Sequence, residues 1–327
     1  MTISFNTKGY DDFIDFIKAY AILCVLFGHT FLWLDKVGYS MWAGMQVPLF
    51  ILIQSFHAFK KDEIDYHINK VLRRVMLPFF IMEAITVFIA LIMGGGILSI
   101  SMLKSGGYGP GAYYPWIYLQ VAFLLPFFAK LLNRIPKTMS LIAFLILCES
   151  LEILLSVIDC PEWIYRLLAV RYLFIIYLGR IWAREGIKIN WITIALSILS
   201  LTTIVYFEYF SIDDEPWFFN TKWKYHRWPC YCYVAYCFTA LLNALWRKVE
   251  KYGFMNKCIK VLAKSSYEIF LIQMSVIWLF KYTNIEILDN QYLQYCIWLV
   301  IVWGVSIGGG ILVNKYLTNI HAVMPRA

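Results

Sequence analysis

The stretch DFIDFIKAYAILCVLFGHTF, residues 12–31, opens with two aspartates and a lysine, turns apolar, and sets a glycine and a histidine near its far end. About 20 mostly apolar residues at 1.5 Å each cross a hydrocarbon core, so the stretch reads as a membrane-spanning helix. At 100° per residue, the steps from Lys18 to His29 end about 20° past three turns. The two therefore share a face, about 16 Å apart along the axis. Asp15 lies on nearly the same stripe. Lys18 falls near one membrane surface, where it can snorkel, and His29 lies past the midplane. Ionisable groups at that depth mark functional sites by default, which makes His29 a functional-site candidate without naming a reaction. The plainer role for such a histidine is a hydrogen bond to a neighbouring helix.

The rest of the chain agrees with a membrane reading. Of 327 residues, 61% are hydrophobic and 15% charged, with mean hydropathy +0.64. Soluble domains are closer to half apolar and a quarter charged. The expected fold is all-α: one integral-membrane domain over residues 1–327, with about ten transmembrane helices. These are expected near 13–34, 41–59, 75–98, 113–133, 139–158, 167–183, 190–210, 228–246, 265–282 and 292–317. No cleavable signal peptide is expected, because no small-residue cleavage site follows the first apolar run. With both termini cytoplasmic, the inner segments hold 20 of the 29 Lys and Arg and the outer ones eight, as the positive-inside rule requires. The +8 net charge is then a topology signal, and no nucleic-acid partner is expected.

Other chemistries find little support. Cys24 and Cys148 fall within spans and read as small apolar residues. Cys160, Cys230 and Cys232 lie toward the outer face, where a disulfide would need an oxidising side. No cysteine or histidine spacing suits a metal. A haem would need a second histidine at the depth of His29, and His57 lies near the opposite end of its span. Glu83, Glu149, Glu152, Glu208 and Glu268 fall in spans. Glu149 and Glu152 share a helix face, where Arg166 and Arg171 at the start of the next span are expected to pair with them. The loops GGYGPGAYYPW and DDEPWFFNTKWKYHRWP are rich in rings, which suits an interfacial belt and also the faces of sugars.

Several stretches together resemble the acyltransferase-3 family of membrane O-acyltransferases, especially the branch similar to fucose 4-O-acetylases. IDFIKAYAILCVLFGHT is similar to the family's first helix, with a basic residue, an apolar run and Gly28-His29. MQVPLFILIQSF resembles its Pro-Leu-Phe segment, and NKVLRRVMLPFF its basic pair before a Leu-Pro-aromatic helix start. YYPWIYLQVAFLLPF is similar to its Trp-containing span and LAKSSYEIFLIQMSVI to its late helix. This chain has Gln46 and Val47, Gln54-Ser55 and Gln273 where relatives often carry a histidine before Pro-Leu-Phe, a Ser-Gly turn and a late histidine. Lys18 stands where many carry arginine.

The resemblance implies transfer of an acyl group, usually acetyl, from a coenzyme A thioester to a sugar hydroxyl. It implies acetyl-CoA, or another acyl-CoA, as a donor substrate, with no tightly bound cofactor. His29 would be the general base, since a neutral imidazole suits that task. Lys18, Arg73 and Arg74 are the expected donor-phosphate ligands. Gln46, Trp116, Gln120, Gln273 and Trp223 are the substrate-binding candidates. Asp15, Glu149, Glu152 and Arg171 are expected in support, one carboxylate orienting His29. The expected partners are acyl-CoA, a glycan or lipid-linked sugar and membrane lipids, with a homo-oligomer compatible with all of this. The expected location is a bacterial inner membrane. A proton-coupled transporter or flippase, or an inactive family member, is the alternative.

Overall fold

In the computed structural model the chain is helical, apart from a two-residue antiparallel pairing of Thr2–Ile3 with Ile187–Lys188. The structure describes residues 2–3, 7–31, 45–60, 68–92, 100–132, 135–188, 190–209, 234, 238–283 and 291–323. The helices are α1 (Thr7–Thr30), α2 (Gln46–Phe59), α3 (Ile68–Ile92), α4 (Ile100–Ser105), α5 (Tyr114–Leu132), α6 (Lys137–Val157) and α7 (Glu162–Leu167). They continue as α8 (Leu173–Glu185), α9 (Trp191–Tyr209), α10 (Thr239–Val249), α11 (Gly253–Lys264), α12 (Ser266–Thr283) and α13 (Gln291–Val323).

Among the described residues, five helical stretches are long and apolar enough to cross a bilayer: Asp12–Thr30, Ile68–Ile92, Tyr114–Leu132, Met139–Val157 and Tyr292–Leu317. Gln46–Phe59, Trp191–Thr202 and Ser266–Phe280 are apolar but shorter. Every segment expected to span contains a helix, but several ends move. The third begins earlier, because Arg73 and Arg74 belong to the helix itself, in a π-helical turn over Leu72–Met76. Pro78 offers no N–H to the carbonyl of Arg74, and a widened turn relieves that mismatch. The sixth begins at Leu173, after the short helix α7 and a 3₁₀ turn over Ala169–Tyr172. Within the eighth expected span, the described residues include α10 from Thr239, and residues 228–233 and 235–237 lie outside the described residues.

Helix α11 lies between the eighth and ninth expected spans. It is amphipathic: Ile259 and Ala263 are buried, and Lys260 Nζ lies 2.8 Å from Asp12 Oδ1. It packs on α1, which also touches α2, α10 and α12. Phe13, Ile17, Ile22 and Leu26 of α1 are buried in this core. Outside it, Phe80 and Phe88 of α3, Phe127 of α5 and Ile146 of α6 are exposed, as a lipid-facing surface requires.

Lipid supplies no hydrophobic drive between helices, so close approach comes from small residues. A Cβ at Gly179 of α8 would fall 2.5 Å from Ser55 Cβ of α2, and one at Gly310 of α13 would fall 2.5 Å from Ile269 of α12. The loop before α5 is tucked into the bundle in the same way. Gly109 holds φ +84°, and a Cβ there would sit 2.3 Å from the carbonyl oxygen of Met274. Gly109→Ala combines a left-handed backbone with a backbone clash, so it should cost about 1–3 kcal/mol. Thermal unfolding in detergent should show a lowered Tm, whereas Gly304→Ala, which meets open space on α13, should leave Tm within a degree or two of the parent.

Candidate active site

His29 sits one residue before the end of α1, and that end is held from α13. Trp303 Nε1 donates to Thr30 Oγ1 at 3.1 Å, and the Tyr295 hydroxyl donates to the Thr30 carbonyl. One of the carbonyls left open at the helix end is thereby satisfied. His29 Nδ1 lies 2.8 Å from Gln273 Nε2. Gln273 is wholly buried on α12, and its Oε1 has no hydrogen-bond partner among the described residues. The imidazole itself stays partly exposed.

The glycine-rich loop covers one side of this pair. Gly111 has φ +91°, and a Cβ there would lie 2.9 Å from Phe270 and 3.7 Å from His29 Cε1. The loop is latched by Glu83 of α3, whose carboxylate accepts the Tyr108 N–H at 2.8 and 3.1 Å. Trp116 Nε1 donates to the Gly106 carbonyl at 2.7 Å, and the Tyr108 ring meets Trp278 edge to face at 4.8 Å. Burial, and then the Glu83 charge, push the Tyr108 phenol above its ordinary pKa. Beyond the loop, the guanidinium groups of Arg166 and Arg171 each lie 5.0 Å from the Tyr113 ring centre. Arg166 is close enough to act electrostatically on His29.

On the other side, a cavity of about 820 Å³ enters between α1, α2, α3, α5 and α12. Its mouth carries Lys18, His57, Arg73, Arg74 and Lys264; its inner end is walled by Val25, Tyr114 and Phe270. Val25 is one turn before His29, so the cavity stops about 6 Å short of the histidine. Phe270 stands between them, with its ring against Tyr114 at 5.5 Å and against Gly111. The two arginines are carried by the π turn. There the Tyr267 hydroxyl donates to the Val75 carbonyl at 2.7 Å, tying α12 to the mouth.

The residues singled out in the sequence divide accordingly. Lys18, Arg73 and Arg74 line one cavity, and His29 and Gln273 are in contact just beyond it. Lys18 Nζ also lies 3.9 Å from Asp15 Oδ1. Trp116 braces the loop. The Gln120 amide is bound by backbone, donating to Leu167 and Trp116 carbonyls and accepting from Ala169 N–H. Gln46 is buried at the start of α2 with Oε1 unbonded among the described residues. Glu152 accepts from the Tyr165 hydroxyl at 2.7 and 2.9 Å, and Arg171 donates to the Arg166 carbonyl at 3.0 Å. The group that contacts His29 is thus an amide, where a carboxylate was expected. Trp223, with Cys230 and Cys232, lies outside the described residues. Among the described residues, no cluster of three His, Cys, Asp or Glu is arranged to hold a metal.

Sequence reasoning missed the Glu83 latch, Phe270 and Tyr267. The signal for the latch was present: GGYGPG carries four glycines in six residues at positions 106–111, more than an interfacial belt needs.

Residues 11–315 match the acyltransferase-3 family profile, described as an acyltransferase domain. The chain belongs to that family. Neither the curated proteins nor the solved structures include a match. The family match, together with the spanning helices, makes the chain a membrane acyltransferase. In this acyltransferase the latch is open to a direct test. Glu83→Leu strands the Tyr108 N–H and should cost about 1–3 kcal/mol. Hydrogen exchange at Tyr108 should accelerate, whereas Glu83→Gln, which keeps an acceptor, should lose less in both thermal unfolding and exchange.

Proposed function

We propose that this acyltransferase moves an acyl group, acetyl in the reading that the resemblance implies, from cytoplasmic acyl-CoA to a hydroxyl of a surface polysaccharide or lipid-linked glycan. The setting is a bacterial cytoplasmic membrane, crossed about ten times with both termini inside, and the branch is the one resembling fucose 4-O-acetylases. One observation carries the reading: a cavity with a cationic mouth ends one helical turn from a histidine held by a buried amide.

The chemistry follows from what each group can do. Arg73, Arg74 and Lys18 neutralise the donor's phosphates, the guanidinium groups by paired hydrogen bonds. The narrow pantetheine arm follows the cavity toward Val25, and a rotation of the Phe270 ring clears the last turn to His29. A base must present a lone pair. If Nε2 is to accept the acceptor's proton, Nδ1 must carry its own hydrogen and donate it. The Gln273 amide meets that need when turned so that Oε1, otherwise unbonded, faces Nδ1. Amide oxygen and nitrogen exchange places by a half-turn of χ3, so the same contact serves.

His29 then takes the hydroxyl proton as the oxygen attacks the thioester carbonyl. The tetrahedral centre collapses with cleavage of the carbon–sulfur bond. The departing thiolate receives the proton from the imidazolium, leaving an ester, free coenzyme A and neutral His29. No acyl-enzyme is required. Trp116, Gln46 and the aromatic outer loop holding Trp223 are assigned to the acceptor side, and Gln120, Glu149, Glu152 and Arg171 to its support.

Purified protein, labelled acetyl-CoA and a cell-envelope glycan fraction test this. Labelled ester should form, and His29→Ala should lower its rate at least about 100-fold. Unchanged labelling in that variant, or movement of the glycan across vesicles without labelled product, would overturn the assignment. Gln273→Leu should lower kcat about tenfold with donor KM little changed, the signature of lost positioning. Arg73→Ala should do the reverse, raising donor KM about 10-fold or more while kcat holds.

A further inference from the structure

The cavity wall has a side that the transfer reaction does not use. Leu77, Ile81 and Ile85 recur every four residues on α3, so they form one stripe. All three line the cavity, and about half of each side chain is exposed. Facing them across the gap are Val313 and Leu317 of α13, also cavity-lining. Val313 is exposed as well. Helices α3 and α13 each pack on α12, and Ile272 of α12 lies on the cavity wall between them. The cavity is therefore flanked by an apolar α3 edge and by an α13 edge of Val313, Asn314 and Leu317, with Asn314 turned to the Lys264 carbonyl and Glu268. The gap between these edges is a slit that faces the hydrocarbon of the bilayer. A site built only for a two-carbon group has no need of this opening.

Depth places the slit beside the chemistry. Ile85 is about 16 Å above Arg74 along α3, the same rise that separates His29 from Lys18 on α1. The next residue, Thr86, hydrogen-bonds Ser275 of α12 at 2.7 Å, and Ser275 is two positions from Gln273, which holds His29. The α3 edge of the slit thus rises to the turn of α12 that carries Gln273, while its α13 edge lies lower, where Asn314 meets Lys264 and Glu268. The lower edge, at Leu77 and Leu317, adjoins the cationic mouth.

Resting on the transfer reading above, we propose that the slit takes the hydrocarbon tail of the donor, so that this acyltransferase uses medium- and long-chain acyl-CoA thioesters as well as acetyl-CoA. One amphiphile fits the whole surface. Its phosphates meet Lys18, Arg73 and Arg74, its pantetheine arm fills the shaft, and its tail passes between Ile81 and Ile272 into lipid. An apolar chain threaded this way need not fit inside the bundle, which frees the enzyme from an upper limit on length. The three cations Lys18, Arg73 and Arg74 match the multiply phosphorylated head of coenzyme A, and one continuous cavity joins them to the apolar stripe, so the proposal commits to the acyl-CoA donor as the occupant.

The test compares acetyl-, octanoyl- and palmitoyl-CoA as donors in nanodiscs, for the parent, the double variant Ile81→Trp/Ile85→Trp, and Phe88→Trp. Phe88 is exposed on the same helix but does not line the cavity. Palmitoyl transfer by the parent, with the palmitoyl-to-acetyl ratio of kcat/KM cut at least tenfold by the double variant and not by Phe88→Trp, is the expected result. Acetyl transfer alone, or an unchanged ratio in the double variant, overturns the slit. Binding of S-hexadecyl-CoA, a thioether that cannot transfer, separates the two readings. It should weaken at least tenfold in the double variant while coenzyme A itself binds both proteins alike. Should no donor support transfer, that binding difference keeps the slit and removes the transfer reading; its absence removes the slit.

Discussion

The contact between His29 and Gln273 joins two helices that are far apart in the chain, and the organisation around it follows from the need to satisfy polar groups inside lipid. An imidazole at this depth has no bulk water to turn to, so it must find a partner within the bundle. Gln273, wholly buried on α12, is that partner. Holding the pair requires that α1 and α12 keep their register. Trp303 and Tyr295 of α13 fix the end of α1. Gly310 lets α13 close on α12, and the Glu83-latched loop presses Gly111 against the ring. Removing any of these loosens the geometry of one hydrogen bond.

The cavity shows the same economy. Its charges gather at the mouth, where side chains can reach water, while its shaft and sides are apolar and aromatic. The π turn places two arginines on consecutive positions just before a proline. Tyr267 supports that turn from the helix that also carries Gln273. The turn that carries the two arginines and the partner of His29 are therefore both braced from one helix, α12.

Much of this was legible in the chain. The apolar runs, the bias of Lys and Arg, and the spacing of Lys18 from His29 are local quantities, and each has a physical reading without reference to fold. The matching of Arg73 and Arg74 with Lys18 was also inferable, because topology charges must lie on one side. What stayed hidden were contacts over long sequence separation. Gln273 drew notice through the family resemblance, as the place of a late histidine, and its contact with His29 had no local signal, whereas Glu149 and Glu152 drew attention as carboxylates. The structure gives Glu152 to Tyr165 instead. The glycines of GGYGPG looked like a surface loop, because nothing in the neighbouring residues announces that a backbone will pass within contact of Met274.

The sequence by itself determined that the chain lives in a membrane, that its charges gather between the apolar runs, and that a histidine lies far along the first run on the stripe of a lysine. Those follow from composition and helical periodicity, which one segment suffices to express. Only the tertiary structure decided which amide holds the ring, which loop covers it, and that the cavity opens sideways between α3 and α13. These depend on how separate helices meet, and in lipid that meeting is chosen by small-residue contacts and hydrogen-bond partners distributed over the whole chain.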